Sequence, residues 1–326
     1  MTDRELDPVL RELSDWEGDA PRLDPGARHR ARARLLASMS GRRPLWQRPG
    51  LRIAASGLAT AVIAATVLVA VREDGGTVTA QQQSLNARTV LVQAAAYDRE
   101  HARPVTTPPR DDQFVYTREI VKETNAATGE TTSYVDENWR SVDDKQRSWV
   151  MEIGKGRWSP PLAKNESRWP SQRWDTLKEL PTDPDQLVFA LLDRFGPGQT
   201  DSLDELSGED WWTVQSSLTS LLTMVAVMPE GLRAAAYEAL GKVPGVKAVP
   251  NQKDAKGRTG VAIIPTLGPD GHRTRDREAF IFDPKTYRFL GFWHVRTSGD
   301  GAARKTYSRL SCLDGWAITD KAKQRP

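Results

Sequence analysis

The side chains that bind metals, attack carbonyls or shuttle protons are scarce and scattered in this chain. Four histidines (His29, His101, His272, His294) and one cysteine (Cys312) are spread over 326 residues. A zinc site needs ligands at short spacings, such as two histidines one helical turn apart or paired cysteines. No histidine has such a partner, so each reads as an ordinary surface or strand histidine. A lone cysteine excludes an intramolecular disulfide framework, and Cys312 reads as a small buried apolar residue. The carboxylates Asp201, Asp204, Glu205, Glu209 and Asp210 could gather a cation, but their simpler use is to solvate a loop and place negative charge at a helix N-terminus. Gly154-Lys155-Gly156 reads as a turn, and the chain has no nucleophile elbow, Walker loop or dinucleotide fingerprint. Asn165-Glu166-Ser167 matches the glycosylation sequon. The expectation is a protein that is not an enzyme and has no cofactor and no metal.

Tryptophan is the remaining suggestive residue. Trp139, Trp149, Trp158, Trp169, Trp174, Trp211, Trp212, Trp293 and Trp316 all fall in the C-terminal two-thirds. They can pack a core or line an apolar cavity or partner groove, where aromatics dominate.

The elements that must position these residues begin with an uncharged run, Ile53 to Val71. Crossing a bilayer takes about 20 apolar residues of helix, and a helix satisfies its own backbone in lipid. Arg42, Arg43, Arg48 and Arg52 precede the run, whereas Arg72, Glu73 and Asp74 follow it. That asymmetry predicts a cytoplasmic N-terminus and a single-pass cell-membrane protein, with Trp46 as an interfacial aromatic. A buried helix of a soluble domain would rarely be apolar all round over this length. A signal peptide cleaved after Val78-Thr79-Ala80 would be far longer than usual.

The segments therefore read as a cytoplasmic helical arm (1–50), a transmembrane helix (51–72), a spacer with a short helix (73–112) and an extracytoplasmic domain (113–326). In the arm, Thr2 to Glu5 has the capping-box pattern, and Leu6, Leu10 and Leu13 recur at helical spacing. A second basic helix begins at Asp24-Pro25 and carries Leu35 and Met39 on one face. These leucines and Met39 can engage a cytoplasmic regulator. The arm can equally be a partly disordered basic tail drawn to the membrane.

Val90 to Tyr97 predicts a short alanine-rich helix. Gln113–Val121, Thr131–Trp139 and Arg147–Ile153 predict an antiparallel meander. Thr182-Asp183-Pro184-Asp185 starts a helix bearing Leu187, Val188, Leu191 and Leu192. Glu209 to Val227 predicts the most amphipathic helix, whose stripe of Trp211, Val214, Leu218, Leu222 and Val225 is the candidate wall of an apolar pocket. A third helix opens at Pro229. Strands return at Gly260–Pro265, Glu278–Phe282 and Phe289–Arg296, the last two flanking a hairpin turn at Asp283-Pro284. Strands, then helices, then strands imply an α+β domain with an antiparallel sheet. The net charge of +3 is too small to suggest nucleic acid as a partner.

Two resemblances follow from these landmarks. The chain resembles an uncharacterised family of actinobacterial single-pass membrane proteins. The landmarks are the basic arm, the alanine-rich span, Thr182-Asp183-Pro184, Leu240 to Val246, Asp254 with Gly257-Arg258, and Asp283-Pro284 followed by Phe289-Leu290-Gly291. Members are often encoded beside sigma-factor genes, which implies a signalling setting. The element order of the outer domain is similar to the lipoprotein-carrier fold, a curved antiparallel sheet with helices over its hollow face, although the lipobox cysteine of anchored carriers is missing. The resemblances imply a membrane-anchored, non-enzymatic extracytoplasmic sensor or accessory protein with a link to sigma-factor signalling. The alternative is an anchored carrier or binder of a lipid or other apolar ligand.

Overall fold

Antiparallel pairing organises the domain. A computed structural model of the chain describes residues 86–102, 105–195, 202–268, 278–298 and 304–326. The arm with Leu6, Leu10, Leu13, Leu35 and Met39, the run 53–71, His29, Asp201 and His272 lie outside the described residues. Among the described residues no helix is long and apolar enough to cross a membrane.

The elements are α1 (Ala87–His101), β1 (Phe114–Asn125), β2 (Thr131–Ser141), β3 (Ser148–Glu152), β4 (Lys155–Ser159), α2 (Trp174–Lys178), α3 (Pro184–Phe195), α4 (Gly208–Met224), α5 (Leu232–Leu240), β5 (Lys247–Lys253), β6 (Thr259–Ile264), β7 (Glu278–Phe282), β8 (Phe289–Ser298) and β9 (Lys305–Thr319). The fold is α+β. The strands form one nine-stranded, curved, unclosed sheet in the order β4-β3-β2-β1-β9-β8-β7-β6-β5. Two meanders meet where β1 pairs with β9, and the helices α2 to α5 connect their outer edges.

Local chemistry sets the element ends. Asp183 Oδ1 accepts from the backbone N–H groups of Asp185 and Gln186, which starts α3 with Pro184 in its first turn. Ser207 and Asp210 form a reciprocal capping box at the start of α4. That helix stops at Met224, short of the expected Val227, because Val225 turns extended and its N–H bonds to Leu221. The next helix starts at Leu232 and not at Pro229, since Gly231 takes a left-handed φ of 79° and caps it. Gly154-Lys155-Gly156 is only partly a turn. Ile153 and Gly154 reverse the chain at φ 50° and 73°, and Lys155 already begins β4. Strands β5 and β9 were not apparent from hydrophobic alternation, although β9 is the longest strand in the sheet.

Several of the sequence landmarks are turn chemistry. Asp254 Oδ1 accepts from the N–H groups of Lys256 and Arg258, beside Gly257 at φ +81°. Asp283 Oδ1 accepts from Lys285 and Thr286. At Gly291 an added Cβ would collide with the Ser311 carbonyl oxygen, so glycine lets β8 approach β9.

The main core sits between the helices and one face of the β6–β7–β8 half of the sheet. Val261, Ile263, Phe280 and Phe282 on that face pack with Leu91, Leu187, Leu191, Leu218, Leu221 and Leu240 from the helices. Helix α1 contributes Val90, Leu91, Ala94 and Ala95 and lies along α5, where Arg99 pairs bidentately with Glu238 at 2.7 Å. Cys312 is buried and free.

Candidate functional site

Strand alternation carries the helix-facing side of the sheet from apolar to charged. Toward β6 it bears Val261, Ile263, Phe280 and Phe292. Across β8, β9, β1 and β2 the same face bears His294, Arg309, Ser311, Glu119, Thr117, Asn138 and Arg140. The helices cover the first half closely. The second half is left open beneath the C-terminal end of α4.

Two chambers result. The inner one, about 330 Å³, has the charged strand residues as its floor and Leu222 and Met224 of α4, with Val225 just past its end, as its roof. The outer one, about 430 Å³, runs between Tyr97 and His101 of α1, the Val227–Gly231 loop and Leu290, Leu313 and Trp316 of the sheet. Ala226, Arg233, Phe289 and Leu313 line both, so the two chambers adjoin at these residues, and the groove is the pair of them. Arg233 stands at the junction, held by the Val225 and Ala226 carbonyls at 3.1 and 3.0 Å. Leu313 and Trp316 are each 43% exposed at the open end.

The charged floor is tightly wired. Asp136, 1% exposed, accepts from the N–H groups of Gly154 (2.7 Å) and Ile153 (3.1 Å) and from Arg309 (3.0 Å). Glu123 takes both arms of Arg296 at 2.9 and 3.1 Å. Asn138 accepts from the Met151 N–H. Two buried atoms find no partner, His294 Nδ1 and Arg309 Nε. The charged groups feel this burial. It raises the Glu119 carboxyl above its ordinary value, although Arg309 and Arg140 pull the other way. Burial lowers the Arg140 guanidinium. It also brings His294 down to about 4, helped by the positive charges of Arg309 and Arg296.

A pH dependence follows for His294. Its folded value lies below the ordinary 6.5, so the unfolded chain takes up the proton first as pH falls. The folded state should therefore lose up to roughly 3 kcal/mol between pH 6.5 and 4 through this residue. Glu119 and Glu278 carry carboxyls raised by burial and act in the opposite sense. Urea unfolding of the wild type and His294→Gln at both pH values isolates the effect. The wild type should lose more stability than the variant. Parallel losses would show that His294 is not held neutral.

The pocket-wall candidates divide. Val214 and Leu218 are fully buried in the main core. Trp211 is also in that core and borders a separate surface hollow lined by Leu206 and Pro244. Leu222 and Val225 reach the inner chamber. Of the tryptophans, Trp316 lines the groove, whereas Trp149 and Trp158 pack together on the β3–β4 hairpin with Lys323 over Trp149. His101 stacks on Tyr97 at the outer chamber. The acidic run contributes Asp210 to the α4 capping box. Among the described residues no cluster of metal-ligating side chains forms.

Glu119, Arg140, His294 and Arg309 were missed as a group. The available signal was a polar residue at every second position of a strand, Thr117 with Glu119 and Asn138 with Arg140. That pattern also describes a solvated face.

No protein-family model matches the chain, and no curated protein matches it. A solved structure of a LolA superfamily protein from Nitrosomonas europaea matches 74% of this chain and 96% of that one, at 8% identity and a TM-score of 0.15. The likeness is too slight to carry any feature of that protein across.

Proposed function

We propose that the chain is a non-enzymatic, membrane-anchored extracytoplasmic protein that binds an amphiphilic ligand in the groove beneath α4. The observation that carries the reading is the groove itself, with aromatic and aliphatic side chains at its open end and unsatisfied buried polar atoms at its inner end. Pockets that bind small molecules combine such apolar walls with a few convergent polar groups. The uncharged run 53–71 supplies the anchor, and the arginines before it place the arm in the cytoplasm. A sensor and a carrier share this binding step. The stripe of Leu6, Leu10, Leu13, Leu35 and Met39 favours the sensor, because it offers a cytoplasmic regulator, such as one acting on a sigma factor, a surface to engage.

The experiment uses the full-length chain in nanodiscs, with empty nanodiscs as the blank. The uncharged fluorophore N-phenyl-1-naphthylamine should bind saturably, and Ala226→Trp, which fills the junction of the chambers, should abolish that binding. Saturable binding that survives Ala226→Trp would overturn the groove as the site. A C-terminal alkaline phosphatase fusion should be active, since the reporter needs an oxidising compartment. An inactive fusion made at normal levels would overturn the orientation.

A further inference from the structure

We propose that the inner chamber is an anion-binding subsite, in which Arg140 and Arg309 hold the carboxylate or phosphate head of an amphiphile whose tail lies outward along Phe289, Leu313 and Trp316. This rests on the groove being the binding site and names the chemistry it selects.

Arg140 and Arg309 rise from β2 and β9 onto the same chamber floor. The Arg140 guanidinium donates no hydrogen bond within the described residues. Arg309 spends one terminal nitrogen on Asp136, has the other 4.0 Å from Glu152, and keeps a buried Nε–H without an acceptor. Its side chain is only 11% exposed, so that N–H is not simply left to solvent. Buried donors of this kind are costly unless something accepts from them.

The local anions do not supply that acceptor. Asp136 is already committed to Arg309, Gly154 and Ile153. Glu123 is taken up by Arg296. Glu119 makes no side-chain hydrogen bond among the described residues, and burial raises its carboxyl against the pull of Arg309 and Arg140. His294 is held neutral, so its free Nδ1 adds no charge of its own. Glu152 stands 4.0 Å from a terminal nitrogen of Arg309 and Asp144 pairs with Arg168, so neither accepts from Arg309 Nε or from Arg140, and these donors keep no acceptor among the described residues. Guanidinium forks match the paired oxygens of carboxylates and phosphates, and charge-assisted bonds of this type are the strong ones.

Beyond Ala226 and Phe289 the outer chamber has Leu290, Leu313 and Trp316 along its sheet side, with Asp98, Glu230 and Arg288 elsewhere in its lining. A short apolar tail can follow that path while its head stays at the arginines.

The test again uses the full-length chain in nanodiscs against empty ones. Octanoate and octyl phosphate should each displace bound N-phenyl-1-naphthylamine at concentrations at least about tenfold below that of octanol, the effect of one charge-assisted contact. Whichever of the two acts at the lower concentration identifies the head as carboxylate or phosphate. Octanol acting as well as both anions would overturn the subsite while leaving the groove in place. No saturable binding of the fluorophore at all would overturn the groove reading, and the subsite with it. The Arg140→Gln variant should lose most of the preference of octanoate or octyl phosphate over octanol. A preference that persists in folded variant would remove Arg140 from the subsite. Should the variant fail to fold, the displacement series on the unaltered chain still decides.

Discussion

Asp136→Ala is expected to cost about 3–5 kcal/mol of folding stability, the usual penalty for breaking a buried ion pair from one side. The carboxylate is almost wholly buried and accepts from three donors at once, two of them backbone N–H groups of the β3–β4 turn. Removing it leaves those N–H groups and the Arg309 guanidinium without their acceptor in a site that solvent barely reaches. The double variant Asp136→Leu with Arg309→Met should recover much of the loss, because it removes the stranded charge as well. Chemical denaturation of the three proteins checks this. A loss below about 1 kcal/mol in the single variant, the range of an exposed pair, would mean that solvent reaches Asp136 after all.

Leu218→Ala is expected to cost about 2–5 kcal/mol, because the side chain is fully buried between α4 and the sheet and borders neither chamber. Leu222→Ala, one turn further on, should cost less. Its side chain already faces the inner chamber, so truncation enlarges existing space more than it opens a new void. The same change should alter binding of N-phenyl-1-naphthylamine, whereas Leu218→Ala should leave its affinity nearly as it was. Equal destabilisation by the two variants, with no change in fluorophore binding, would show that α4 packs against a closed core along its whole length.

The helical elements were the most legible part of the chain. Period and capping chemistry are local, so Asp183-Pro184 and the stripe through Leu218 could be read from neighbouring residues. The hairpin at Asp283 was legible for the same reason, since its side chain closes the turn with N–H groups two and three residues away. The α+β order followed from these segments. Strand β9 did not, although it is the bridge between the two meanders. Its residues Lys305 to Arg309 look like those of a solvated loop, and although Ser298 pairs with nearby Lys305, its other edge is set by a distant partner, β1, with Phe114 against Thr319.

The candidate site divides along the same line. Leu222 and Val225 are visible in the apolar stripe of α4, because helical spacing alone puts them on one face. Glu119, Arg140, His294 and Arg309 come from four strands, and each looks like an ordinary polar position when its own strand is read alone. Only the pairing of β1 with β2 and β9, and of β9 with β8, gathers them on one face. Sequence by itself determined the uncharged run, the helix faces and the tight turns, all of which depend on residues within a few positions of one another. The charged floor of the groove was decided by tertiary structure, because register across non-consecutive strands is a long-range property that no local period records.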